Sequence, residues 1–226
     1  MKEILCLGDS LTKGRVGHSF TEYLTNQKII NKGKDGDTLY HSYKRLKKYL
    51  NQDKFKNVDT YIISLGTNDI LIPFLKNLTP LWYLIMKPRE DFFHCLQDDK
   101  SFEEQLEKYF ELLDGKKIIL IGIPRIQIKN FPQELIINKN KIISKLAKKH
   151  NTPYIDIYKL QAQEDLKSFS WKYHKIIVFF GYLIVTIFPK LKDRIDNKRK
   201  LGLTIDGVHY NKYSAKIIEK EVNKIV

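Results

Sequence analysis

Five short apolar runs, each cut off by a glycine, a proline or a polar turn, restrict this chain to one broad class of fold. They are Ile4 to Leu7, ending at Gly8; Gln27 to Ile30, leading into Asn31; Val58 to Leu65, ending at Gly66; Lys117 to Ile123, broken by Pro124; and Pro153 to Ile157. Their apolar positions are continuous rather than alternating. That pattern suits strands covered on both faces, hence a parallel sheet.

Helical spacing fills the intervals. Ser101-Phe102-Glu103-Glu104 has the form of a capping box. Phe102, Leu106, Tyr109 and Leu113 follow at helical spacing to a stop at Asp114-Gly115. Gln133 to His150 sets Ile136, Ile143 and Ala147 on one face, and Tyr213 to Val226 groups Ile217, Ile218, Val222 and Ile225. The alternation predicts an α/β protein, a three-layer α/β/α sandwich around a mostly parallel five-stranded sheet. With no internal repeat or low-complexity linker, the 226 residues read as one domain, 1–226.

In open sheets of this kind, sites gather beyond the carboxyl ends of the strands. Three polar blocks fall there: Gly8-Asp9-Ser10-Leu11, Asn31-Lys32-Gly33, and Gly66-Thr67-Asn68-Asp69. A fourth, Asp206-Gly207-Val208-His209, precedes the last helical stretch. Ser10 would sit at the mouth of the first helix, where free N–H groups and the helix dipole favour developing negative charge. Asn68 offers an amide donor with no charge to desolvate, suited to a carbonyl oxygen becoming an oxyanion. Asp206 and His209 stand three apart. That spacing lets the carboxylate accept from Nδ1–H while Nε2 points at a serine. Each block alone has a plainer reading, as a helix cap or a turn. Together they are the parts of acyl transfer through a covalent intermediate.

In type and order these blocks resemble those of the GDSL/SGNH hydrolase family of esterases and lipases. The resemblance implies a flavodoxin-like sandwich of the SGNH type, with Ser10 as nucleophile, His209 as base, Asp206 as its orienting carboxylate and Asn68 as an oxyanion-hole donor. Asn31-Lys32-Gly33-Lys34-Asp35-Gly36-Asp37-Thr38 resembles the family's second block, and by that match the Gly36 N–H is a further oxyanion donor beside the Ser10 N–H. The other five histidines (His18, His41, His94, His150 and His174) lack a carboxylate at the family spacing and read as surface or packing residues.

Other classes find less support. No Cys-x-x-Cys, His-Glu-x-x-His or Gly-rich phosphate loop is present, so neither metal nor cofactor is expected. The charge of +14 would attract phosphates, yet it comes without a helix-turn-helix, zinc-ligand or aromatic-glycine RNA motif. Most of the lysines read as solvated helix surface, and no specific nucleic-acid partner is expected. Only Cys6 and Cys95 occur, and Met1-Lys2-Glu3 runs straight into a strand too short for a signal core. The expectation is a reduced, cytoplasmic protein.

Two apolar inserts, at about 73–96 and 161–203, have no counterpart in the family pattern. The second holds Ile176 to Phe188, 13 residues against the ~20 a membrane-spanning helix needs. Three readings stand: a buried helix, a lid or acyl wall, and a segment docking on a membrane surface between flanking cations. The resulting expectation is hydrolysis of a small-molecule or lipid-like carboxylic ester. A carbohydrate O-deacetylase or an acyl thioesterase would use the same residues. A non-catalytic module binding membrane surfaces or anionic ligands is the alternative outside enzymes.

Overall fold

The computed structural model describes residues 3–162, 166–171 and 190–226. Ile176 to Phe188, with Lys172 and Lys175 beside it, lies outside them. The elements run β1 (Glu3–Gly8), α1 (Ser10–Lys13), β2 (Lys28–Gly33), α2 (Leu39–Leu50), β3 (Val58–Ser64), α3 (Thr67–Lys76) and α4 (Pro80–Phe93). They continue with α5 (Asp99–Leu112), β4 (Lys117–Ile121), α6 (Gln133–Lys149), β5 (Tyr154–Ile155), α7 (Ile157–Leu160), α8 (Leu191–Arg199) and α9 (Lys212–Asn223).

The five strands form one parallel sheet in the order β2-β1-β3-β4-β5, and helices cover both faces. The continuous apolar runs have the cause inferred for them. Leu5, Cys6, Ile62 and Ile119 are fully buried, so neighbouring residues of one strand are covered on opposite faces. Helix α2 packs on α5 and α5 on α6, while α9 packs against β5 and the 3-10 turn at Phe20–Glu22. Cys6 is a core thiol whose pKa burial pushes up to about 12. Among the described residues, no helix is long and apolar enough to cross a membrane.

Several boundaries differ from expectation, each for a local reason. Strand β2 runs on to Gly33, pairing as far as Gly8 of β1, and it is half-exposed because it is the sheet edge. Strand β4 stops at Ile121 because the Asn140 side chain takes both backbone groups of Ile123, accepting its N–H at 2.7 Å and donating to its carbonyl at 2.9 Å. Helix α5 starts earlier than the expected Ser101 cap. Asp98 caps it instead, accepting the Ser101 N–H at 2.8 Å, which puts Ser101 inside the first turn. Residues 73–76 of the first insert finish α3, and Thr79 then caps α4, whose first residue is Pro80.

Not all lysines are solvated. Lys139 is 2% exposed and donates to the carbonyls of Gln97 and Asp98 and to Asp99, and buried Lys192 donates to the Gly14 carbonyl. Three histidines also sit on carboxylates: His18 on Asp193, His41 on Asp37 and His150 on Glu107.

Candidate active site

The order of strands sets the place of the site. From β1 the chain moves outward to β2, then returns to the other side of β1 for β3, so the loops after β1 and β3 part at a switch point. Gly8 of β1 stands in register with Gly33 of β2 and Ser64 of β3, and three of the four polar blocks therefore leave the sheet at one level.

Asp9 caps α1 by accepting the Leu11 N–H at 2.8 Å, which makes Ser10 the first helical residue. The fourth block closes on it. His209 Nε2 lies 3.1 Å from Ser10 Oγ, and His209 Nδ1 lies 2.7 Å from Asp206 Oδ2. Asp206 Oδ1 accepts the N–H groups of Val208 and His209 at 3.0 and 2.8 Å, which fixes the carboxylate against the ring. That pairing sets the proton on Nδ1 and leaves Nε2 as the acceptor facing the serine hydroxyl.

Charge is balanced to suit that arrangement. Burial raises the Asp206 pKa, but the imidazole and the N–H donors outweigh it, and the carboxyl titrates below its ordinary value. Burial disfavours the His209 cation, but the charge and hydrogen bond of Asp206 outweigh that, and His209 titrates above its ordinary value.

The loop holding Asp206 and His209 is fastened by residues the sequence did not single out. Gln127 donates to the carbonyls of Leu201 and Lys167 and accepts from Thr204 Oγ1, and Thr204 in turn accepts the Gly207 N–H. Trp171 Nε1 donates to the Asp206 carbonyl at 2.7 Å. Trp171 also stacks on Trp82 of α4, whose Nε1 donates to the Trp171 carbonyl.

On the opposite side, Asn68 sits in the first turn of α3, just after Gly66. At φ +107° Gly66 turns strand into helix, and a Cβ there would meet Ile123 at 2.8 Å and Phe102 at 3.0 Å. Asn68 Nδ2 donates to the Asp37 carbonyl at 2.9 Å. Lys34 to Asp37 form a turn closed by Asp37 N–H to Lys34 O at 3.1 Å, with Gly36 at φ +75° in its third position. That is the glycine position of a type II turn, whose closing bond does not use the Gly36 N–H. A Cβ on Gly36 would lie 3.0 Å from the Phe93 ring.

Two buried carboxylates were not assigned from sequence. Asp69 accepts N–H groups from Leu39 and Leu96, tying α2 and the segment after α4 to the start of α3. Burial pushes both Asp69 and Asp9 up to about 7. Asp69 left no spacing signal in the sequence, because its partners come from distant segments of the chain. Among the described residues, no group of three or more His, Cys, Asp or Glu side chains could hold a metal ion.

A family model described as GDSL-like Lipase/Acylhydrolase matches residues 4–222. Comparison with curated proteins finds no match. Among solved structures, a lipase/acylhydrolase from Enterococcus faecalis is 21% identical, covering 99% of this chain and 94% of that one at a TM-score of 0.57. An acetyl xylan esterase, AlAXEase, is 19% identical over 99% of this chain and 100% of that one, with a TM-score of 0.61. A GDSL-like lipase from Bacteroides thetaiotaomicron is 17% identical over 99% and 86%, with a TM-score of 0.63. At such identities these likenesses speak to the fold alone.

Proposed function

The chain belongs to the GDSL-like lipase/acylhydrolase family, and from that premise we propose that it hydrolyses carboxylic esters through Ser10, His209 and Asp206. The observation that carries the reading is the unbroken hydrogen-bonded chain from Asp206 through His209 to Ser10. His209 Nε2 takes the hydroxyl proton as Ser10 Oγ attacks the acyl carbonyl, and Asp206 stabilises the imidazolium. The Asn68 amide and the Gly36 and Ser10 N–H groups receive the oxyanion. His209 returns the proton to the leaving alcohol, and a water then repeats the sequence on the acyl-enzyme. No step calls for a metal or cofactor.

The substrate in this reading is a small-molecule ester with an apolar, lipid-like acyl group. Helix α4 supports it. Its Trp82 end stacks on Trp171, which holds Asp206, and its Phe93 end packs on Gly36. Between them α4 exposes Tyr83, Leu84 and Ile85. A wall of that kind gains about fourfold in rate for each methylene it buries, from ~0.8 kcal/mol per CH₂.

The test is a series of p-nitrophenyl esters from acetate to octanoate, run beside acetylated xylan and an acyl thioester. The reading predicts kcat/KM rising with chain length and highest for the oxygen esters. A monotonic fall from acetate, or preference for the acetylated sugar or the thioester, contradicts the acyl assignment.

A further inference from the structure

We infer that Asp37 is a positioning residue of the oxyanion hole, its carboxylate clamped by Arg45 and His41 so that its own carbonyl holds Asn68. The inference rests on the reading of Asn68 as an oxyanion donor. Asp37 is fully buried. Its Oδ2 accepts from Arg45 Nε at 3.0 Å and Nη2 at 2.5 Å, and its Oδ1 accepts from His41 Nδ1 at 2.5 Å. Arg45 is itself held, Nη2 donating to the Lys32 carbonyl of β2 and Nη1 to the Tyr49 hydroxyl of α2. A buried carboxylate met by a guanidinium through two nitrogens and by an imidazole has little freedom to turn.

That rigidity passes to two oxyanion donors at once. The Asp37 N–H closes the turn that presents Gly36, and the Asp37 carbonyl accepts one N–H of the Asn68 amide. A carbonyl acceptor also fixes which way the amide faces, because Oδ1 in that place would set two lone pairs against each other. The second Nδ2 proton is then directed by the first. Charge matters as well. A bare carboxylate beside a developing oxyanion would oppose it, and Arg45 cancels that field in a site where water cannot.

The experiment compares Asp37→Asn and Arg45→Lys in the wild-type and the Asn68→Ala backgrounds, with p-nitrophenyl acetate as probe. In the wild-type background, kcat should fall by ~10–100-fold with KM within about threefold, since the lost interaction belongs to the transition state. In the Asn68→Ala background the same substitutions should cost at least fivefold less. Equal losses in both backgrounds overturn the inference, because residues acting through one another are not additive. The Asn68 side-chain amide resonances give a readout that needs no turnover. They should move in both variants, and unmoved resonances overturn the inference. If Asp37→Asn does not fold, Arg45→Lys carries the same comparison. Failure of the parent reading looks different: Ser10→Ala would hydrolyse the ester as fast as wild type, whatever the Asp37 variant does.

Discussion

His209 Nε2 stands 3.1 Å from Ser10 Oγ although 199 residues separate the two in sequence. The loop that makes this meeting is not held by those residues alone. Trp171, Gln127 and Thr204 fix its backbone, and Asp206 fixes the ring. The placing of the candidate residues and the stability of the loop are therefore coupled at this corner of the fold.

Asn68→Ala should lower kcat by ~10²–10³-fold, roughly 3–4 kcal/mol of transition-state stabilisation, with a smaller effect on KM. Steady-state kinetics on a short ester check it. A change confined to KM would mean that Asn68 binds ground-state substrate or only shapes the turn.

Asp206→Asn should shift the acidic limb of the pH–rate profile to lower pH. The proposed mechanism needs neutral His209, whose pKa Asp206 holds above its ordinary value against burial. Without the carboxylate, burial prevails and the pKa falls, while loss of the fixed tautomer costs ~10³–10⁴-fold in kcat. The pair also links stability to pH. The contribution from lowered Asp206 is present above the unfolded carboxyl pKa and lost as pH falls through the folded one. That from raised His209 is present below the unfolded imidazole pKa and lost as pH rises through the folded one. An acidic limb that stays in place in the variant refutes this account of His209.

Asp9→Asn should stabilise the protein more at pH 8 than at pH 5. Burial holds the Asp9 carboxyl at about 7 in the folded chain, against about 4 when unfolded. Its contribution is favourable below about 4 and is lost as pH rises through about 7, at ~1.4 kcal/mol per unit. Asparagine keeps an oxygen for the Leu11 N–H without that loss. Denaturant unfolding at the two pH values should show the gain over wild type growing by about 2–3 kcal/mol. A gain independent of pH would mean that Asp9 is not held protonated by the fold.

Much of this was legible in the sequence because burial writes directly onto it. Strands covered on both faces become unbroken apolar runs, and β1, β3 and β4 were found that way. Edge strand β2 is half-exposed and was cut short, and α5 was started too late because Ser101 has the form of a cap while Asp98, three residues earlier, is the cap. The candidate residues Ser10 and Asn68 stood out by lying just past β1 and β3, and Asp206 and His209 by their spacing ahead of the last helix. Asp37, Arg45 and Asp69 did not, because their partners come from other loops and helices and no spacing records them. Lys139 went unrecognised for the same reason: a lysine on a helix reads as surface until the carbonyls it caps are known.

Reaction of the intact protein with a fluorophosphonate probe, read by peptide mass spectrometry, tests the central claim most directly. The phosphonyl group should sit on Ser10 alone, and Ser10→Ala should lose both the label and ester hydrolysis. Label on a different serine, or full labelling of the Ser10→Ala protein, would contradict the assignment of Ser10 as nucleophile.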